Sequence, residues 1–317
     1  MEKPVERASH GSGITRRMDA FPAGKLFSTG STNTEVMRFI RYSEGSTQHW
    51  GVVVEDMVYS LADVPFGEPT YEDIATPGFR EKVQQAVATD ALTGIPRADI
   101  RELAPVPNPG KIACVGLNYH DHAEEQDEEI PEKPILFAKS STSVTNPDAA
   151  IIHPEDVEQV DYEVELGIVM GRTAKNVTAT DASDYIAGYT VVNDVSARDA
   201  QFEDGQFFRG KSYDTFAPMG PELVTEDAID PNALGVRTRV NGDLKQSSNT
   251  EEFIFDTYEI VEYLSRVMTL EPGDVISTGT PGGVGVFREP PELLEPSDEV
   301  EVEIENIGVL RNHVIAE

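Results

Sequence analysis

The feature that most constrains the fold is a succession of short β-rich runs after Lys111 that no regular series of helices interrupts. KIACVGLNY, KPILFAKS, DYEVELGIVMG, YIAGYTVVND, LGVRTRVNGD, GDVISTGTP and EVEVEIENIGVLRNHVI each read as a strand or a strand pair. Helical periodicity is confined mainly to ATDASDYIA and to FDTYEIVEYLSRVMTL, the second followed by a Pro-Gly stop. A doubly wound sheet needs strands and helices in alternation. The pattern therefore predicts a strand-dominated, mixed α+β architecture. Neither an internal repeat nor a G-x-G-x-x-G or P-loop pattern is present.

Three segments follow from composition. Residues 1–36 are rich in Ser, Thr and Gly without periodicity and are expected to be disordered, with Met37 a candidate translation start. Residues 37–104 read as a small N-terminal α+β module. In it HWGVVVEDMVYSL is two strands around a Glu55-Asp56 turn, and TPGFREKVQQAVAT is a helix with Pro77 in its first turn. The Pro-rich APVPNPGK closes the module, and 105–317 form the larger domain.

The chain carries 25 lysines and arginines against 57 aspartates and glutamates, a net charge of −32. Such a surface repels nucleic acid and anionic membranes, which excludes both as expected partners. The acid is spread along the chain, as in a protein kept soluble in salt, so a halophilic archaeon's cytosol is the expected setting. Cys114 is the only cysteine, which excludes an internal disulfide and fits a reducing cytoplasm. Arg16-Arg17 is followed by no apolar run, so no export signal is read.

Within DYEVELGIVMG, alternation puts Tyr162, Val164, Leu166 and Ile168 on one face and Glu163, Glu165 and Gly167 on the other. Two carboxylates roughly 7 Å apart on one face need either solvent or a cation between them. Asp194 falls where the apolar run Tyr189 to Val192 ends, presented at a strand terminus or capping a helix over VSARD. Three such carboxylates would form an all-oxygen site for Mg²⁺, Mn²⁺ or Ca²⁺. In NYHDHAEEQ, His120 and His122 form an H-x-H pair, a weak zinc pattern. On a helix beginning near Asp121, Glu125 would orient His122 as a general base. Lys211 in RGKSYDTF offers a cation for an enolate or a carboxylate, and Thr280 in the Gly-rich STGTPGGVG offers anion contacts. Surface histidine, surface lysine and an ordinary turn are the alternative readings of these three.

VGLNYHDHAEE, KPILFAKSSTS, DYEVELGIVMG, GYTVVNDVSARDAQ, RGKSYDTFAPMGP, TRVNGDLKQ and LEPGDVISTGTPGGVG, in that order, resemble the fumarylacetoacetate hydrolase family from about Lys111 to the C terminus. The resemblance implies a mixed β roll, usually a homodimer. It implies that Glu163, Glu165 and Asp194 are metal ligands, that Lys211, Gln201, Lys139 and Thr280 belong to the substrate site, and that His122 and Glu125 are the dyad on the lid of the acylpyruvase-like and 2-hydroxyhepta-2,4-diene-1,7-dioate isomerase-like branch. Fumarylacetoacetases themselves carry a metal-binding Asp and an aromatic-rich segment where this chain has NYHDHAEE, which points away from fumarylacetoacetate as substrate.

The expected chemistry is therefore a Mg²⁺-dependent reaction of a 2-keto acid through an enolate. Hydrolytic carbon-carbon cleavage of an acylpyruvate is the leading expectation. Isomerisation or decarboxylation of 2-hydroxymuconate-type diacids, oxaloacetate tautomerisation or decarboxylation, sugar-acid dehydration and a catalytically silent metal scaffold are the rivals.

Overall fold

In a computed structural model, residues 37–317 are described, apart from 63, 66 and 90. The expectation of disorder over 1–36 falls outside them. Strands dominate, as the sequence pattern predicts. A large mixed sheet runs in the order Gly94–Pro96, Met57–Ser60, Thr47–Val54, Arg38–Glu44, Ala217–Thr225, Ile186–Asn193, Val164–Met170, Val275–Ser277, Ile112–Gly116 and Ile135–Lys139. A second sheet of five strands runs Asp243–Asn249, Gly235–Val240, Glu299–Ile304, Gly308–Ala316 and Ala150–His153. Arg38–Glu44 pairs antiparallel with Ala217–Thr225, so the N-terminal strands extend the sheet that carries the site.

The strand Val164–Met170 is buried at every position. Its Val164, Leu166 and Ile168 face a core shared with Val236, Val302 and Leu310 of the second sheet and with Ile260, Val261 and Leu264. Those last three lie on one stripe of the helix Thr257–Val267, whose start is fixed by a capping box between Asp256 and Glu259. Burying each such aliphatic side chain contributes roughly 1.5–3 kcal/mol. Val169, on the opposite face, joins a second core with Phe39, Trp50, Phe79 and Met219, under the helix Pro77–Ala88 with its Pro77 in the first turn. ATDASDYIA departs from expectation. Ala179–Tyr185 is a 3₁₀ segment and Ile186 already begins a strand. No helix among the described residues is long and apolar enough to cross a membrane.

Candidate metal and substrate site

Glu163 sits just before the strand Val164–Met170, and Asp194 just after its neighbour Ile186–Asn193. The two strands pair from Val164↔Asn193 onward. The Asp194 N–H donates to the Glu163 carbonyl at 2.9 Å, and the Glu163 N–H donates to Asn193 Oδ1 at 3.0 Å. These two bonds lock both acids at the same end of the ladder. Asp194 does not cap the following helix, Arg198–Asp204, whose cap position is Ala197. Glu163, Glu165 and Asp194 are all buried and present one oxygen each within 4.8 Å of one another.

Three buried cations surround this cluster. Lys211 Nζ donates to Glu163 Oε2 at 2.7 Å and to Asp194 Oδ2 at 2.9 Å. Lys139 Nζ donates to Asp194 Oδ1 and to the Val195 carbonyl. Arg198 lies 2.7 Å from Glu163 Oε1 and donates from Nε to Asp161 Oδ2 at 2.9 Å. Burial alone would raise the Glu163 carboxyl, but Lys211 and Arg198 hold it down to about 2. Glu165 has the opposite balance. Burial, then Asp194 and Glu163, push its carboxyl well up. Its Oε2 accepts 3.0 Å from the Gly279 N–H, and no lysine or arginine among the described residues pairs with it. Gly279 has φ +101, and a Cβ there would lie 2.8 Å from the Asn118 side chain. That position therefore requires glycine for its amide to reach Glu165.

The donor set fits a hard divalent cation. Ionised together, Glu163, Glu165, Asp194 and Asp161 would carry four negative charges against three from Lys139, Lys211 and Arg198, and the carboxylate without a paired cation is Glu165. An ion held by Glu163, Glu165 and Asp194 would compensate it with oxygen ligands alone.

Glu163 and Glu165 of the cluster line a cavity of about 320 Å³ together with His122, Gln201, Lys211 and Thr280. Gln201 Oε1 accepts 3.1 Å from Arg198, and Thr280 Oγ1 accepts 2.8 Å from Gln246 Nε2. Lys139 is not among the lining residues. Two of its three N–H groups go to Asp194 and the Val195 carbonyl, so it compensates Asp194 from outside the cavity lining.

His122 and Glu125 lie on the short helix His120–Glu125. His122 Nδ1 is 3.1 Å from Glu125 Oε2, and Gln126 Nε2 is 2.8 Å from His122 Nε2. With the Gln126 amide donating, this pattern assigns the proton to Nδ1 and leaves Nε2 unprotonated, its lone pair accepting from Gln126. The helix is seated on the Gly-rich loop. Gly283 N–H donates to Glu125 Oε1 at 2.9 Å and Gly282 N–H to Asp121 Oδ1 at 3.2 Å. His120 is exposed and belongs to no ligand cluster among the described residues, so the H-x-H zinc pattern does not form.

Arg198 and Asp161 were not singled out by the sequence reading. Asp161 accepts from Arg198, from the Gly285 and Val286 amides and from its neighbour Tyr162, tying the Arg198 guanidinium to the loop that carries Thr280. The available signal was an arginine beside Asp194 in a chain poor in basic residues.

Comparison with known proteins agrees with this architecture. Residues 111–315 match the family described as fumarylacetoacetate (FAA) hydrolase C-terminal, and residues 37–79 match Rv2993c-like, N-terminal. The mitochondrial oxaloacetate tautomerase Fahd2a of Rattus norvegicus is 49% identical over 242 residues, 74% of this chain and 77% of that protein. A fumarylacetoacetate hydrolase from psychrophilic Exiguobacterium antarcticum is 40% identical with a TM-score of 0.80, covering 89% of this chain and 100% of the other. A 2-hydroxyhepta-2,4-diene-1,7-dioate isomerase from Mycobacterium marinum is 38% identical with a TM-score of 0.72, covering 89% and 99%. On the family match, the sequence identity and the shared fold together, this chain is an enzyme of the fumarylacetoacetate hydrolase family.

Proposed function

We propose that the chain is a divalent-cation-dependent isomerase that interconverts the keto and enol forms of a small 2-keto acid. One observation carries this reading: an unprotonated ring nitrogen, His122 Nε2, held by the Gln126 amide that it must release to act as a base, shares a cavity with the buried Lys211 ammonium and with Glu163 and Glu165 of the carboxylate cluster. When bound at Glu163, Glu165 and Asp194, the cation supplies a Lewis acid that draws electron density from a 2-oxo group. His122 Nε2 takes the proton from C3 while Glu125 holds Nδ1–H and stabilises the imidazolium. Lys211 balances the negative charge developing on the 2-oxygen, a kind of contribution worth about 10²–10³ in rate. Return of the proton to the 2-oxygen gives the enol, and the reverse sequence gives the ketone.

The similarity to an oxaloacetate tautomerase and to a dienoate isomerase supports isomerisation over the hydrolysis that led the sequence reading. Hydrolysis stays as a second reading on one observation, the Glu125-held His122, which is also the arrangement that activates water. The test follows loss of the enol absorbance of oxaloacetate with added Mg²⁺ or Mn²⁺ and with EDTA, beside cleavage of acetylpyruvate plus water to pyruvate plus acetate. Metal-dependent acceleration of enol loss without acetylpyruvate cleavage is the expected result. Cleavage without acceleration would establish the hydrolase instead.

A further inference from the structure

The group that occupies His122 Nε2 is the Gln126 side-chain amide, 2.8 Å away. The contact on the other side of the ring decides which end of that amide faces it. Glu125 Oε2, an acceptor, lies 3.1 Å from Nδ1, so in a neutral imidazole the proton sits on Nδ1 and Gln126 presents its N–H₂ to Nε2. The main chain at Gln126 is fixed. Its N–H closes the end of the helix His120–Glu125 on the His122 and Glu124 carbonyls, and Asp121 seats that helix on the Gly282 amide and the Ser248 hydroxyl. The side chain is left to move, and it lines the cavity.

A ring nitrogen whose lone pair holds this amide cannot take a proton. To act on C3 it must lose the amide, and a donor released inside a cavity costs free energy unless another acceptor meets it. In a near-attack geometry Nε2 lies about 3–3.5 Å from C3, and C4 is one bond further on. An amide that starts 2.8 Å from Nε2 and is anchored at the helix end is therefore beside whatever C4 carries. We infer that Gln126 is a positioning residue that exchanges partners: its N–H₂ holds His122 Nε2 in the resting site and passes to an oxygen on substrate C4, which frees the base. With a methyl group at C4 no acceptor draws the amide away, and the base stays occupied. The inference rests on the reading of His122 as the base that acts on C3 of a 2-keto acid.

Two variants of the full chain with Mn²⁺ test it: Gln126→Met, unbranched and of similar length but without the donor, and Gln126→Glu, of the same shape without an N–H. Calorimetry compares malate with 2-hydroxybutyrate, unreactive four-carbon acids that differ at C4 alone. Wild type should prefer malate, and both variants should lower the malate to 2-hydroxybutyrate affinity ratio by about ten-fold, the effect of one hydrogen bond to a charged group. Kinetics supply a change of opposite sign. In Gln126→Met, KM for the enol of oxaloacetate rises, while C3 deuterium exchange of 2-oxobutyrate, followed by NMR, speeds up several-fold because the base no longer carries an amide. A helix merely disturbed by the substitution would slow both acids. An affinity ratio that neither variant changes, or a loss of activity on both acids, overturns the inference. Exchange by wild type with an unchanged ratio removes the inference alone. A lowered ratio with no turnover of either keto acid by wild type removes the isomerase reading alone and leaves the Gln126 contact at C4 standing.

Discussion

Lys211 Nζ donates to Glu163 Oε2 at 2.7 Å although 48 residues separate them, and both side chains are almost completely enclosed. The same ammonium reaches Asp194, so one lysine balances half of a carboxylate pair that a metal ion would also hold. The balance has a measurable consequence. In metal-free protein, Lys211→Met leaves Glu163 and Asp194 short of a partner, and breaking a buried pair from one side costs roughly 3–5 kcal/mol. Saturating Mn²⁺ should recover most of that loss, because the cation compensates the same oxygens. Thermal unfolding with EDTA and with Mn²⁺ measures both arms. An equal loss in the two conditions would show that lysine and metal do not share the carboxylates.

Glu165 gives the pH dependence. Its folded-state pKa lies well above the ordinary 4.5, through burial first and through Asp194 and Glu163 next. A raised carboxyl favours the folded state fully below the unfolded value, and that contribution is lost as pH rises through the folded value. Metal-free wild type should therefore lose stability with rising pH above about 4.5, whereas Glu165→Gln, an approximation of the protonated acid, should lose less over the same range. The variant should also fail to gain stability from Mn²⁺. Parallel melting curves in EDTA across pH, then with Mn²⁺ at neutral pH, check both.

For His122, the expected result of replacement by alanine is a fall in kcat of about 10²–10⁴ with Mn²⁺ affinity unchanged. Glu125→Gln should cost less, since it leaves the imidazole in place and takes the negative charge from the partner of Nδ1–H. It also weakens the bond from the Gly283 amide that seats the helix. Steady-state kinetics on the enol of oxaloacetate, with Mn²⁺ titrated calorimetrically, separates the two variants. Full activity in His122→Ala would take the proton transfer away from this residue.

The metal cluster was legible because its logic is local. Alternation alone puts Glu163 and Glu165 on one face, and the end of an apolar run presents Asp194. Their partners were less so. Lys139, Lys211 and Arg198 come from three separate segments, and nothing near Lys139 in the sequence distinguishes a buried counter-charge from a residue that touches substrate. The apolar part of the cavity lining was not legible at all, since Gly116, Phe137 and Phe207 meet only through the pairing of Ile112–Gly116 with Ile135–Lys139 and the placing of a loop against that pair. The strand count was readable from period and composition. The sheet order, which carries Arg38–Glu44 to the edge of Ala217–Thr225, depends on contacts between segments far apart in the chain.

The remaining excess of acid lies outside this compensated centre. Glu124 on the dyad helix and Asp127, Glu128 and Glu129 just after it are exposed, with no lysine or arginine pairing them among the described residues. At low ionic strength such charges repel over about 10 Å at 0.1 M salt, and over only about 3 Å at 1 M. A net charge of −32 therefore opposes the compact state most strongly in dilute buffer. The melting temperature should rise by several degrees between about 0.1 M and 1 M KCl, and KCl and NaCl should act alike if screening is the cause. The buried ion pairs are shielded from this effect, so Lys211→Met should lower the melting temperature by a similar amount at both salt concentrations. A melting temperature independent of salt would show that the acidic surface places no electrostatic load on the fold, and would remove the argument for a saline setting.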